Sequence, residues 1–256
     1  MKIVILAAGR GQRLMPLTQN TPKPLLDMGN GKTLLEEQMI SIQKSGVIDE
    51  VILIVGYLND QIEAKMRLYH DKGFAIRTLY NPFWQVSNNL LSLWLARQVI
   101  AEHDVIITNG DNIFTPKTFT DLASQADGIW LAVCPKDQLG PEDMKVKLVD
   151  GFVSSVSKTM STENITLETP GLAMAKGGRA RQLFVEHLEG VVRDNQDSNR
   201  FWLEVFNRMW NKGVLINPWE FSAKGNWQEI DFHGDLKLMQ KLLNEKVMNL
   251  ATEKEN

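Results

Sequence analysis

Three short apolar runs constrain this chain more than any other feature: "KIVILA" (Lys2–Ala7), "EVILIV" (Glu50–Val55) and "DVIIT" (Asp104–Thr108). Each is rich in β-branched residues and apolar on both faces, the pattern of a strand covered from both sides. Segments with helical spacing lie between them. Thr33–Ser45 opens on Thr33 with Glu36 following at capping-box distance. Asn59–Lys72 opens on Asn59 and is stopped by Gly73. A third strand is read at Ala75–Leu79 and a further helix at Asn89–Ile100. Such alternation predicts an α/β fold with a mostly parallel sheet flanked by helices on both sides. In these sheets, ligands bind beyond the carboxyl ends of the strands.

Two polar segments leave from such ends. The first is "LAAGRGQRLMPLTQNTPKPLL" (Leu6–Leu26), whose three prolines exclude a helix and a central strand. The second is "NGDN" (Asn109–Asn112). The long loop lacks the third glycine of a dinucleotide fingerprint, since Leu14 stands there, and "GNGKT" (Gly29–Thr33) lacks the first glycine of a P-loop. It still suits a polyphosphate. Gly9 and Gly11 let backbone N–H groups turn toward an anion, and Arg13 and Lys23 add charge. Pro22 and Pro24 stiffen the chain around Lys23.

After about residue 130 the pattern changes. Ile129–Cys134 reads as another strand, and Lys145–Val149 and Phe152–Ser157 flank Asp150-Gly151 as a hairpin. Helical patterns follow at 177–189, 199–211 and 234–246, with a short strand ending at Ile230–Asp231. The reading is one domain over 1–250, with halves at 1–130 and 131–250, the second carrying a small β-rich lobe, and a frayed tail at 251–256. A net charge of -3 gives no basic excess for nucleic acid. Cys134 is the single cysteine, so no internal disulfide forms, and no signal-peptide or transmembrane pattern is present. The expectation is a cytoplasmic protein without a membrane partner.

"LAAGRGQRL…TPKPLL" resembles the signature of nucleotidyltransferases that act on sugar-1-phosphates and small phosphorylated alcohols. The resemblance continues through "VGY" (Val55–Tyr57), "NGD" (Asn109–Asp111) and "WQEID" (Trp227–Asp231). It implies a Rossmann-like, nucleotide-diphospho-sugar transferase-like fold with a mostly parallel mixed sheet, a nucleotide-binding half (1–130) and an acceptor-binding half (131–250), Mg²⁺, and transfer from a nucleoside triphosphate with loss of pyrophosphate. By the resemblance, Leu6, Ala7, Ala8, Gly9, Gly11, Arg13, Lys23 and Asp111 bind nucleotide, and Asp111 and Asp231 hold metal. Lys23, Arg13 and Lys158 act on the phosphates, with Lys158 reaching the acceptor. Glu229 is either a further ligand or a support. On spacing alone, Asp111 reads equally as a helix cap and Lys158 as a solvated charge.

"SNNLLSLWLA" (Ser87–Ala96) has Asn88, Asn89 and Ser92 where sugar-1-phosphate enzymes usually carry a glycine pattern. This resembles the branch that uses CTP on phosphocholine and phosphonates, and a carboxamide can meet both donors and acceptors of cytosine. The two asparagines also read as helix caps. A phosphocholine site needs aromatic faces, yet "PEDMKV" (Pro141–Val146) stands where an aromatic is expected. Glu142, Asp143 and Glu168 suit an amine or hydroxyls instead. Trp84, Trp202 and Trp227 are cage candidates, although Trp202 and Trp210 also have core spacing. His70, His103, His187 and His233 read as surface or capping residues. The expected partners are CTP and a small phosphorylated acceptor, with a homodimer admitted. Two other readings remain: a sugar-1-phosphate enzyme using UTP or dTTP, and a regulatory subunit that binds nucleotide without turnover.

Overall fold

The computed structural model describes residues 1–70, 75–194 and 199–245. The expected helix stop at Gly73 and the tail at 251–256 lie outside these. Along the chain run β1 (Lys2–Leu6), α1 (Leu34–Ser45), β2 (Glu50–Val55), α2 (Asn59–His70) and β3 (Ile76–Tyr80). Next come α3 (Asn89–Leu95), α4 (Arg97–Glu102), β4 (Val105–Asn109), β5 (Asn112–Phe114), α5 (Pro116–Ala123) and β6 (Gly128–Pro135). The hairpin strands β7 (Lys145–Val149) and β8 (Phe152–Ser157) lead to β9 (Leu167–Glu168) and β10 (Leu172–Lys176). The chain then forms α6 (Gly178–Asp194), α7 (Glu204–Asn211), β11 (Asn217–Glu220), β12 (Trp227–Glu229) and α8 (His233–Asn244).

One sheet runs in the order β3-β2-β1-β4-β10-β6-β9-β7-β8, with β11 beside β6. The strands from β3 to β4 are parallel, and β10 is antiparallel to both β4 and β6. The apolar runs fill both faces by simple alternation. Ile3, Ile5, Val51 and Leu53 pack under α1, α2 and α5, while Val4, Leu6, Ile52 and Ile54 pack under α3, α4, α6 and α7. Among the described residues, no helix is long and apolar enough to cross a membrane.

Several boundaries differ from the sequence reading for identifiable reasons. The helix expected at Asn89–Ile100 breaks at Ala96. Arg97 stacks 3.8 Å from the Trp94 ring centroid and donates to the Trp94 carbonyl, taking an acceptor from the helix ladder. The pattern at 199–211 is helical only from Glu204, because the preceding stretch is tied to α3: the Trp202 N–H donates to Asn89 Oδ1, and Leu90 N–H donates to the Arg200 carbonyl. His187 is no surface residue. It is buried in α6, with Nδ1 2.8 Å from the Leu183 carbonyl.

The capping box of α1 is formed as the sequence predicts. Glu36 N–H donates to Thr33 Oγ1, and Glu36 Oε2 accepts from Thr33 N–H at 2.8 Å. Burial alone would raise the Glu36 carboxyl, but Lys65, Thr33 and Tyr69 outweigh it and hold it at about 2. A folded-state value below the ordinary 4.5 contributes stability above that pH, which is lost as pH falls toward 2. Glu36→Gln is therefore expected to lower stability by about 1–2 kcal/mol at neutral pH. Urea unfolding across acid pH should show the gap to the unsubstituted protein closing below 4.5.

Candidate active site

The Leu6–Leu26 loop is fixed at both ends by burial. Leu14, Leu26 and Met28 pack with Leu34, Ile113, Ile230 and Met239, joining the loop to β5 and α8. Gly11 sits at φ +67, and a Cβ there would lie 3.1 Å from both Lys23 Cβ and Thr18 Cγ2. Gly56, in "VGY", lets β2 close on the loop: its Cβ would lie 2.7 Å from the Ala8 carbonyl, which accepts from Tyr57 N–H. Pro22 heads a short 3₁₀ turn at Lys23–Leu25 that presents Lys23.

β1 and β4 are neighbours in register, Leu6 against Asn109, so the two polar segments open on one mouth, as the sequence predicts. Lys23 is almost wholly buried, and its Nζ lies 3.0 Å from Asp111 Oδ2 and 3.3 Å from Asp231 Oδ1. Burial pulls this ammonium down, but Asp111 and Asp231 outweigh it, so the group lies above the ordinary lysine value. Asp231 reaches the site because β12 pairs with β5 and Ile230 N–H donates to the Asp111 carbonyl. Asp235 then fixes it by accepting from the N–H groups of Asp231 and Phe232. Burial, with the negative charges of Asp111 and Asp231 beside it, holds the Glu229 carboxyl well above the ordinary carboxylate value.

A cleft of about 910 Å³ opens beside these groups. Leu6, Ala8, Gly9, Arg13, Asn88, Asn89, Ser92, Asp111, Asp143, Lys158, Glu168 and Asp231 all line it, while Ala7, Gly11 and Lys23 border an adjoining hollow around Asp111. Arg13 is 44% exposed, pairs with Asp231, and lies 2.9 Å from Glu142 Oε2. Lys158 Nζ lies 3.0 Å from the same carboxylate oxygen. Asn88 does cap α3, accepting from Asn89 N–H at 2.8 Å, and Ser92 Oγ accepts from Asn81. Trp84, Trp202 and Trp227 also line the cleft, but the Trp202 and Trp227 indole N–H groups are held by Asn109 and Asn112.

Three residues of the site escape a pattern-based reading. Gln38 is buried and donates to the carbonyls of Gly110 and Asn112, holding the turn that carries Asp111. Its signal was a glutamine on the apolar face of α1. Asn81, fully buried, follows β3 in an Asn-Pro step and accepts from Phe83 N–H, an Asx turn. Lys136 lies between Asp143 and Glu168, and no local pattern marks it.

The nucleotidyl transferase family profile matches residues 2–134, just over half the chain and the part that supplies Lys23 and Asp111. The chain belongs to the nucleotidyl transferase family. Within this family it is 38% identical over 119 residues to the choline-phosphate cytidylyltransferase of Streptococcus pneumoniae, covering 46% of this chain and 48% of that one. The chain thus spans about half the length of that relative in the match. It is 28% identical over 257 residues to the CTP:phosphoglutamine cytidylyltransferase of Campylobacter jejuni, covering 93% of this chain and 98% of the relative. The solved structure of the Streptococcus pneumoniae CTP:phosphocholine cytidylyltransferase superposes with a TM-score of 0.73 at 23% identity, over 94% of this chain and 98% of that one. This nucleotidyl transferase therefore has the nucleotide-diphospho-sugar transferase-like fold expected from its sequence.

The loop geometry gives a direct test. Gly11→Ala forces a side chain into the left-handed region against Lys23, and should cost about 1–2 kcal/mol in urea unfolding.

Proposed function

We propose that this chain transfers a cytidylyl group from CTP to a small acceptor bearing a phosphate or phosphonate, with release of pyrophosphate. The observation that carries this reading is Lys23, buried between Asp111 and Asp231 at the mouth shared by β1 and β4. Relatives named as cytidylyltransferases support the choice of nucleotide.

In this reaction an acceptor oxygen attacks the α-phosphorus, a new P–O bond forms, and the bond to the β-phosphate bridge breaks as pyrophosphate leaves. A phosphate monoester is largely a dianion at neutral pH, so no general base is needed. The difficulty is bringing two polyanions together, which calls for fixed positive charge. Lys23 supplies a buried, oriented ammonium. Exposed Arg13 and half-buried Lys158 supply two further cations that share Glu142 Oε2, Arg13 toward the triphosphate and Lys158 toward the acceptor phosphate. Leu6, Ala7, Ala8, Gly9 and Gly11 line the triphosphate with backbone. Asn88, Asn89 and Ser92 stand for the cytosine side; Asn89 Oδ1 is committed to Trp202 N–H, so its Nδ2 is the donor for the base.

Asp111 and Asp231 fit a hard divalent cation such as Mg²⁺. Asp111 Oδ1 is buried and accepts no hydrogen bond, a carboxylate oxygen left for a further partner. Among the described residues, no group of three or more potential ligands gathers. Magnesium takes one or two carboxylates and completes its shell with water and phosphate. When bound, the ion would neutralise phosphate charge and align the reacting oxygens.

A pyrophosphate-release assay with CTP, UTP, dTTP and ATP against small phosphorylated acceptors tests the reading, and CTP is expected to be strongly preferred. Comparable turnover of UTP or dTTP with a hexose-1-phosphate would instead assign a sugar enzyme. The two loop cations should separate in steady-state kinetics. Lys23 is buried and oriented before substrate arrives, so Lys23→Ala should depress kcat by about 10²–10³. Arg13 is exposed and binds ground state and transition state alike, so Arg13→Ala should mainly raise the KM for CTP. A Lys23→Ala variant with only KM changed would reduce the loop to a docking cradle.

A further inference from the structure

The acceptor end of the cleft carries charges that the transfer chemistry does not use. Lys136, the first residue after β6, places Nζ 2.9 Å from Asp143 Oδ2 and 3.0 Å from Glu168 Oε2. All three line the cleft. Glu168 is 7% exposed and mounted on β9 between β6 and β7, so it is held by sheet on both sides. Asp143 Oδ2 also accepts from Gly140 N–H at 2.7 Å. The segment carrying Asp143 is clamped in turn by Lys145, a buried lysine of β7. Its Nζ donates to the carbonyls of Gly140 at 2.9 Å and Lys158 at 2.6 Å. The charges therefore stand in fixed order, minus, plus, minus, beside the segment end that carries Lys158.

We propose that this triad reads the head of an amino-acid-type acceptor, one that bears a carboxylate and an ammonium as well as the phosphate to be cytidylylated. This rests on the cytidylyl-transfer reading for the phosphate's place at Lys158. The carboxylate pairs with Lys136, whose side chain is 39% exposed, and the ammonium with Asp143 and Glu168. Other acceptor classes match the triad poorly. A singly cationic head can pair with the two carboxylates, which exceed Lys136 by one negative charge, but it brings no anion for the Lys136 ammonium. A trimethylammonium head needs open aromatic faces, and Phe201 already has Lys158 Nζ 5.4 Å from its centroid. A plain polyol needs no alternating full charges.

Calorimetric binding to the full chain, with no nucleotide present, tests this independently of turnover. The matched acceptors are O-phospho-L-serine, phosphoethanolamine (without the carboxylate), phosphoglycerate (a hydroxyl for the ammonium) and phosphocholine. Phosphoserine should bind about tenfold tighter than the other three, the scale of one partly desolvated charge pair. Lys136→Met should erase or reverse its advantage over phosphoethanolamine, whereas Lys136→Arg should keep it. Tightest binding of phosphoethanolamine or phosphocholine, equal binding of phosphoglycerate, no binding of any of the four, or an order unmoved by Lys136→Met would each overturn the proposal. Failure of the cytidylyl-transfer reading has a different signature: no pyrophosphate from CTP with any acceptor, whatever the binding order.

Discussion

The Lys23 ammonium between Asp111 and Asp231 is the interaction on which the rest of the molecule depends. It joins residues 88 and 208 positions away from Lys23, and so ties the first loop to both halves of the chain. A buried cation is costly unless paired, and removing one partner of such a group costs about 3–5 kcal/mol. Pro22, the close approach at Gly11, and the small cluster around Leu14 and Met239 all serve to present that one amine.

The sheet explains why the amine and the carboxylates meet. Parallel β1 and β4 end side by side, so the chain leaves both toward the same space. The two-stranded β12–β5 sheet then carries Asp231 back from late in the sequence. Gln38 fixes the Gly110 turn by donating to the carbonyls of Gly110 and Asn112. Long-range backbone pairing, not local propensity, assembles the charges.

Across the cleft the cations are each held by carboxylates: Arg13 by Asp231 and Glu142, Lys158 by Glu142, Lys136 by Asp143 and Glu168. Glu142 bridges two of them, and Lys158 and Arg13 hold its carboxyl below the ordinary carboxylate value. Charges kept in place this way need little reorganisation when an anionic ligand replaces a carboxylate partner, which is the sense in which such a site is preorganised.

The sequence by itself determined the parallel half of the sheet, the capping box of α1, the β7–β8 hairpin and the irregular, glycine- and proline-bearing first loop. Each rests on a local signal: two-faced apolar runs, a Thr-x-x-Glu cap, an Asp-Gly turn, glycines beside prolines. The tertiary structure alone decided β10, whose "LAMAK" has little strand propensity and is a strand because β4 and β6 enclose it, with alanines that let α6 pack close. It also decided the burial of His187 and the place of Lys136, whose partner Glu168 lies 32 residues away. Local patterns record where a chain turns and which face is apolar. Which charges end up 3 Å apart depends on strand order, and no window of the sequence contains that.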